Sequence, residues 1–166
     1  VKSNFNEVIS NSKNFYNSIK NKLIRPEFSA WSTIQRDNFD QIEEIASLAK
    51  EVGFDNLTYQ LFLTGWGKEE WEKVNNEKNI NYKDQKIKSI FDNVIKKYSD
   101  KNFKISVFEE NLLNFNKKCS WPWNSAYLSA KGNVVPCCIV GDPSVVNMGN
   151  INDKSFIDIW QSEEYH

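Results

Sequence analysis

Three cysteines are the residues of this chain whose type and spacing best suit chemistry. Cys119 stands alone, and Cys137 and Cys138 are adjacent; twelve residues separate Cys119 from Gly132, and four separate Gly132 from Cys137. A turn at the glycine would fold the first thiol back beside the second, as short β segments do when they present ligands to a metal. Thiolates are soft ligands that suit iron–sulfur clusters and zinc. From spacing alone, metal ligation and inert free thiols are equally open interpretations.

The set of donors in this sequence is incomplete for either metal. A cluster held by four cysteines needs a fourth sulfur, and the single histidine, His166, is the last residue, which leaves a Cys₂His₂ zinc site short of ligands. Either residues outside this stretch complete the set, or the thiols bind no metal. An odd number of cysteines with two adjacent is also a poor disulfide framework. We therefore expect a reducing, cytoplasmic location.

Composition narrows the class of protein and its partners. The 166 residues are 40% apolar and 26% charged, which is typical of one globular domain or two small ones. The net charge of -1 comes from interspersed lysines and acidic residues, so no basic face predicts a nucleic-acid partner. No apolar run approaches the ~20 residues of a membrane span, so no membrane partner is expected. The chain lacks an initiator methionine and opens on a helical pattern, and we expect it to be an excised segment.

Apolar periodicity predicts alternating helices and strands before the cysteines. The helices are predicted at 4–22, 38–52 and 82–98, and the strands at 27–35, 56–64 and 103–108. Pro26 is expected to end the first helix and Gly53 the second, while 65–81 is predicted to be a long polar loop. Strands separated by such helices favour parallel pairing, yet they are too few to close a barrel. The predicted fold class is α/β, an incomplete, partial TIM-like barrel.

The sequence changes character after Lys118. Residues 126–136 predict a β-hairpin in which Gly132 supplies the positive φ of the turn. Ser155, with an acidic residue three positions later, is expected to cap a final helix, and Trp160 to pack that helix on the hairpin. This end of the chain is therefore predicted to be a small cysteine-bearing module of a hairpin plus a helix.

The cysteine-bearing sequence resembles a known family. CSWPWNSAYLSAKGNVVPCC, followed by GNINDKSFIDIWQSEEY, resembles the N-terminal half of a SPASM domain, the auxiliary iron–sulfur domain at the C-terminus of many radical S-adenosylmethionine enzymes. Cys119, Gly132, Cys137 and the Gly-Asn-to-Ile-Trp tail match the family pattern over roughly 119–165. The resemblance implies that Cys119 and Cys137 are cofactor-binding metal ligands of a [4Fe–4S] cluster, with Cys138 as a less certain third.

The preceding sequence is similar to the last units of the radical S-adenosylmethionine partial barrel in its order of elements and in TIQRDN…EIASLAKEVGFDNL. The resemblance implies two domains: barrel units over 1–110 and a truncated SPASM-like domain over 111–166. It also places Asp37 and Asn38 on the side where such barrels bind substrate or S-adenosylmethionine, although helix capping explains Asn38 equally well. Aromatic residues could line a cavity, but packing is the more common role of such side chains. They are Trp31, Trp66, Trp71, Trp121 and Trp123.

The resemblance implies a function for a larger parent protein. The Cys-x₃-Cys-x₂-Cys loop that holds the family's catalytic cluster is absent, as are the later SPASM cysteines, so this segment alone is expected to be inactive and free of a cluster. The parent would cleave S-adenosylmethionine to a 5′-deoxyadenosyl radical and abstract hydrogen from a peptide, protein or small-molecule substrate. Its electron donor would be a protein such as flavodoxin or ferredoxin.

Two other functions remain open at this point. The chain could be a non-catalytic binding module with free thiols, or its cysteines could form a structural zinc site completed between chains.

Overall fold

The computed structural model describes residues 4–109 and 119–165. These residues form two compact units: the first contains 4–62 and 79–109, and the second contains 63–78 and 119–165. The predicted boundary between 110 and 111 lies outside the described residues, as does His166. No helix in the described part of the chain is both long and apolar enough to cross a membrane.

The first unit is an α/β layer built on a parallel sheet, as the sequence predicts. Its helices are α1 (Phe5–Ile19), α2 (Ile42–Val52) and α4 (Gln85–Tyr98), and its strands are β1 (Ser29–Thr33), β2 (Asn56–Gln60) and β3 (Lys104–Phe108). The strand order is β1-β2-β3, with Trp31 level with Thr58 and Thr58 level with Ser106. The described residues form a three-stranded parallel sheet and no closed barrel.

Packing decides where the first helix ends. Asn4 caps its N-terminus by accepting a hydrogen bond from the backbone N–H of Asn6 at 3.1 Å. The helix ends at Ile19, several residues before the predicted stop at Pro26. Leu23 and Ile24 are almost fully exposed, and a helical turn that buries no apolar side chain gains too little to persist.

The predicted start of the second helix at residue 38 is also corrected. Residues Arg36–Gln41 form a 3₁₀ turn, and α2 begins only at Ile42. Asn38 explains the difference, because its Oδ1 accepts the N–H of Gln35 at 2.8 Å and its Nδ2 donates to the carbonyl of Thr33 at 3.1 Å. Such side-chain bonds compete with regular helical bonding. The helix ends as predicted, at a left-handed Gly53 with φ 97°.

One face of the sheet carries the apolar core. Phe91 of α4 is completely buried, and its ring meets those of Phe39, Tyr59 and Tyr82 at centroid distances of 5.9, 5.5 and 5.7 Å. Tyr59 donates its hydroxyl hydrogen to the carbonyl of Ile42 at 2.5 Å, and burial raises the pKa of that hydroxyl. The polar end of the ring is therefore satisfied inside an otherwise apolar layer.

The opposite face of the sheet is polar and open. Because strand side chains alternate, Trp31, Thr58 and Ser106 share a row on this face. The hydroxyls of Thr58 and Ser106 lie 3.1 Å apart, and the indole N–H of Trp31 donates to Gln60 Oε1 at 2.7 Å. Trp31 remains 61% exposed and packs edge to face on Phe108 at a centroid distance of 5.6 Å, so this face combines hydrogen-bonding groups with two aromatic rings.

The predicted loop at 65–81 is wrong, because most of it is helix α3 (Glu69–Lys78). This helix buries no side chain and lacks an amphipathic stripe, which is why apolar periodicity did not reveal it. Its charges suit the helix dipole, with three glutamates in the first turn and Lys78 in the last. Glu72 also accepts the N–H of Gly65 at 2.7 Å and joins the helix to the turn before it.

The second unit contains short elements around the cysteines. They are α5 (Trp121–Asn124), β4 (Tyr127–Leu128), β5 (Asn133–Val135), β6 (Gly149–Asn150) and α6 (Phe156–Trp160). Strands β4 and β5 form the predicted antiparallel hairpin, and β6 adds to β5 as a third strand. Gly132 has the predicted positive φ, 83°, and Ser155 caps α6 by accepting the N–H of Asp158 at 3.2 Å.

A different residue from the predicted one anchors α6. Ile159 is buried, and its side chain lies 3.1 Å from the position that a Cβ on Gly149 would take. Trp160 is only partly buried and packs beside Phe156 and Tyr165 instead. The branched aliphatic side chain therefore joins the helix to β6, since only a glycine opposite leaves room for it.

Candidate metal centre

The β4–β5 hairpin lies between two of the candidate ligands in the chain, Cys119 and Cys137. Tyr127 pairs with Val135, so the strands run away from this pair toward the turn at Gly132. Cys137 leaves the hairpin just beyond Val135, while Cys119 precedes the one-turn helix α5 that leads into β4. In chain order, Cys119 therefore precedes the hairpin and Cys137 follows it, both on the side away from the turn.

Cys137 has the most structured surroundings of the three. It is half-buried, and its Sγ accepts the backbone N–H of Val140 at 3.4 Å. Burial, and to a smaller extent the nearby Cys137, raise the pKa of the Tyr165 hydroxyl, which donates to the carbonyl of Ser125 at 3.3 Å. Backbone N–H groups directed at sulfur stabilise thiolates, and in iron–sulfur sites they also tune the reduction potential.

All three cysteines are free thiols, with Cys119 and Cys138 exposed. Two reachable sulfurs and a third that accepts an N–H are chemically suited to supply part of a thiolate ligand set. Among residues 4–109 and 119–165, however, no three histidine, cysteine, aspartate or glutamate side chains gather as metal ligands would. The residues present thus fit an iron–sulfur cluster as a partial set of ligands. Their assignment as ligands stays a prediction.

An asparagine network holds the hairpin turn. The Nδ2 of Asn150 donates to the carbonyl of Lys131 and to Asn133 Oδ1, both at 3.0 Å, and its Oδ1 accepts the N–H of Asn152 at 2.9 Å. A Cβ on Gly132 would lie 2.9 Å from Asn150 Oδ1, so glycine is required there for space as well as for φ. These bonds connect β6 to the turn and so fix where β5 leaves toward Cys137.

The segment before α3 contains site residues that sequence reasoning missed. Lys68 forms an ion pair with Asp142, with Nζ and Oδ2 2.7 Å apart, and both side chains lie mostly out of solvent. Asp142 follows the cysteine pair by only a few residues. The mixed charge of this segment suggested a solvated face, and nothing local in either stretch indicates the pairing.

The predicted aromatic and polar candidates have different roles in the structure. Trp66 and Trp71 pack edge to face at 5.9 Å, which is the packing role favoured for tryptophan. Trp121 and Trp123 are exposed in α5. Asn38 serves the 3₁₀ turn described above, so its bonds are accounted for by backbone contacts.

A cavity of about 720 Å³ in the first unit lies at the opposite end of the sheet from the side where α/β barrels carry chemistry. Its lining includes the residues that begin β2 and β3, and four of its eight charged residues form ion pairs. Arg25 binds Asp55 through its two terminal guanidinium nitrogens, and Lys50 Nζ lies 2.7 Å from Asp100 Oδ2. This end of the sheet is held together by ion pairs.

The cysteine-bearing part of the second unit matches a known protein family. Residues 119–166 match the family model of SPASM, described as an iron–sulfur cluster-binding domain. No curated protein matches the chain. The match begins at Cys119 and includes the hairpin, Cys137, Cys138 and α6, and it confirms the resemblance found from the sequence. Residues 119–166 are therefore similar to a SPASM iron–sulfur cluster-binding domain, and the match does not include the first unit.

Proposed function

We propose that this chain is the C-terminal part of a radical S-adenosylmethionine enzyme and that its SPASM domain supplies ligands to an auxiliary [4Fe–4S] cluster. The observation that carries the proposal is the SPASM match, which starts at one cysteine and includes the other two. Cys119 and Cys137 are the proposed ligands, and Cys138 is a further candidate. Such a cluster, when bound, orients substrate or carries an electron.

The state of the thiols supports this assignment. None of the three is in a disulfide, and Cys119 and Cys138 are exposed, so a metal can reach these two sulfurs without rearrangement of a core. Cys137 is the best-prepared ligand, because the N–H of Val140 already points at its sulfur. Cys138 directly follows Cys137, and this adjacency makes it a less certain partner in the same site.

The first unit supports a role as barrel wall. Parallel sheets usually bury both faces, but here the apolar core lies on one face and hydroxyl, amide and indole groups lie on the other. In a partial barrel that second face points inward, toward substrate. Trp31, Thr58 and Ser106 would then line the interior of the parent enzyme.

In the proposed parent, a cluster bound outside this chain would supply the one-electron reductive cleavage of S-adenosylmethionine to methionine and a 5′-deoxyadenosyl radical, and that radical would abstract hydrogen from a peptide, protein or small-molecule substrate. A reduced protein such as flavodoxin or ferredoxin provides the electron in a reducing cytoplasm. This segment alone is inactive, since its three cysteines include no Cys-x₃-Cys-x₂-Cys loop. Cleavage of S-adenosylmethionine by the isolated segment would contradict this account.

The ligand assignment is tested in the full-length gene product, purified without oxygen. Cys119→Ala and Cys137→Ala should each lower the iron content and the visible iron–sulfur absorbance, because each removes a thiolate ligand. Ser120→Ala is the matched control, since it truncates an exposed side chain beside Cys119 without removing a sulfur. Cys137→Ser keeps an oxygen acceptor for the Val140 N–H, and it should lose iron while retaining the fold.

Two results would count against the proposal. Unchanged iron content in both alanine variants would remove Cys119 and Cys137 as ligands. Stoichiometric zinc without iron, after anaerobic purification, would favour the structural zinc site instead.

A further inference from the structure

We infer that the turn Gly65–Lys68 is a positioning element for the cysteine pair. It holds the loop Cys137–Asp142 in the shape that presents the two thiols, with Lys68 as its main positioning residue. We call the contacts between this turn and this loop the clamp. The purpose of the clamp rests on the proposed cluster-binding function, but its contacts are independent of any bound metal.

The first contact is an ion pair at the far end of the loop. Lys68 Nζ lies 2.7 Å from Asp142 Oδ2, with the two side chains only 25% and 20% exposed. Asp142 also accepts the N–H of Ser144 at 2.8 Å, and the hydrogen bonds from Lys68 and Ser144 lower the pKa of its carboxyl to about 2. The ammonium is further held 4.7 Å from the ring centroid of Trp71. Both partners of the pair are therefore fixed by other groups, which reduces the entropy lost in forming it.

The second contact is close packing between the turn and the loop. A Cβ on Gly67 would lie 2.9 Å from Val145 and 3.1 Å from Val140, and a Cβ on Gly141 would lie 3.2 Å from the indole of Trp66. Glycine at positions 67 and 141 thus lets the two backbones approach each other. Side chains at either position would force them apart.

The backbone of the turn is itself constrained. Trp66 has φ 50°, and it is the one non-glycine residue with a positive φ in the part of the chain that the structure describes. A bulky residue keeps this conformation only where its surroundings hold it. The N–H of Lys68 donates to the carbonyl of Gly65 at 2.8 Å, and Glu72 accepts the N–H of Gly65 at 2.7 Å, so the turn is tied to α3.

These contacts reach the thiols through one residue. Val140 packs against Gly67, and its N–H donates to Cys137 Sγ at 3.4 Å. The Cβ position of Gly141 also lies 3.0 Å from the carbonyl oxygen of Cys138. Displacement of Val140–Asp142 would therefore remove the N–H from Cys137.

The test compares Lys68→Met with Lys73→Met in the full 166-residue chain. Both variants replace a lysine by an unbranched apolar side chain of similar length, but Lys73 is exposed on α3 and makes none of the loop contacts. Hydrogen exchange at the Val140 amide should be about two- to fivefold faster in Lys68→Met, the range expected for loss of one ion pair. Alkylation of Cys137 should accelerate similarly, while Cys119 serves as an internal reference.

Two further variants separate positioning from general stability. Lys68→Arg keeps the charge and should restore slow exchange at Val140. Gly141→Ala should accelerate it roughly tenfold or more, because the added methyl group pushes on Trp66 and on Cys138. Exchange and alkylation rates in Lys68→Met equal to those in Lys73→Met would overturn the inference.

Metal loading distinguishes this inference from the proposed function. In the anaerobic full-length protein, Lys68→Met should release iron to a chelator faster than Lys73→Met, with an altered iron–sulfur spectrum and an unchanged melting temperature. If the wild-type protein takes up no iron while the exchange difference persists, the proposed function fails and the clamp stands. Equal iron release and equal exchange in the two variants would refute the clamp alone.

Discussion

The two units of this protein are stabilised in different ways. The first packs aromatic and aliphatic side chains from α2, α4 and the sheet into one continuous buried layer. In the second, the fully buried apolar side chains among the described residues are Val134, Val135 and Ile159, and side-chain hydrogen bonds, close glycine contacts and an ion pair hold the rest. A metal or a disulfide usually stabilises a unit with so small a core. The first unit therefore relies on apolar burial, whereas the second relies largely on hydrogen bonds, close glycine contacts and an ion pair.

The strongest test of this contrast is the removal of one core ring. Phe91→Ala should lower the free energy of unfolding by about 3–5 kcal/mol, because it leaves a cavity among three other aromatic rings. Phe156→Ala is the matched control in the second unit, where the side chain is 46% exposed, and it should cost less than about 1 kcal/mol. Urea unfolding followed by circular dichroism measures both. Equal losses would mean that the units do not differ as described.

The second test removes Asn150, whose side-chain hydrogen bonds hold the hairpin turn. Asn150→Ala should destabilise the hairpin turn by about 1–3 kcal/mol, because it leaves the acceptors on Lys131 and Asn133 and the N–H of Asn152 without this partner. Hydrogen exchange at the amides of 132–135 and 151–152 should report the loss. Asn93→Ala, on the exposed side of α4, should stay within about 0.5 kcal/mol. Equally small losses of unfolding free energy in Asn150→Ala and Asn93→Ala would show that these hydrogen bonds do not stabilise the second unit.

The third and smallest effect concerns the ion pair at the N-terminal ends of the strands. The hydrogen bond from Arg25, aided by the N–H of Phe28 at 2.8 Å, lowers the pKa of Asp55 below its ordinary value. A carboxyl whose pKa is lower in the folded state stabilises the fold above its unfolded pKa, and that contribution disappears as the pH falls through the folded pKa. Asp55→Asn should therefore cost about 1–2 kcal/mol at pH 7.

The pH dependence supplies the check on this prediction. The difference in unfolding free energy between wild type and Asp55→Asn should begin to narrow below about pH 4, where the Asp55 carboxyl of the unfolded chain becomes protonated, and should vanish only below the lower folded pKa. Asp153→Asn, an exposed aspartate in the second unit, is the control and should show no such convergence. A constant difference between wild type and Asp55→Asn down to low pH would contradict the role of the Asp55 charge.

Local signals predicted much of this molecule. The parallel sheet followed from apolar periodicity separated by helices, and Gly53, Gly132 and Ser155 ended or began elements as their chemistry requires. Misses occurred where competing local bonds or missing core contacts overrode the pattern, as at Asn38 and at the end of α1. Helix α3 escaped prediction because it stays helical through charge and capping contacts rather than through an apolar stripe.

The candidate site likewise has features that the sequence predicted and features that it did not. The spacing of Cys119, Gly132 and Cys137 lies in one short stretch of sequence, so the chain by itself determined the hairpin, the three thiols and the SPASM resemblance. Tertiary structure alone brought Lys68 to Asp142 and placed Ile159 against Gly149. Lys68 and Asp142 are distant in the chain, and Ile159 approaches Gly149 closely because the glycine has no side chain. Such contacts leave no local pattern, because their energy exists only after the fold has closed the loops between them.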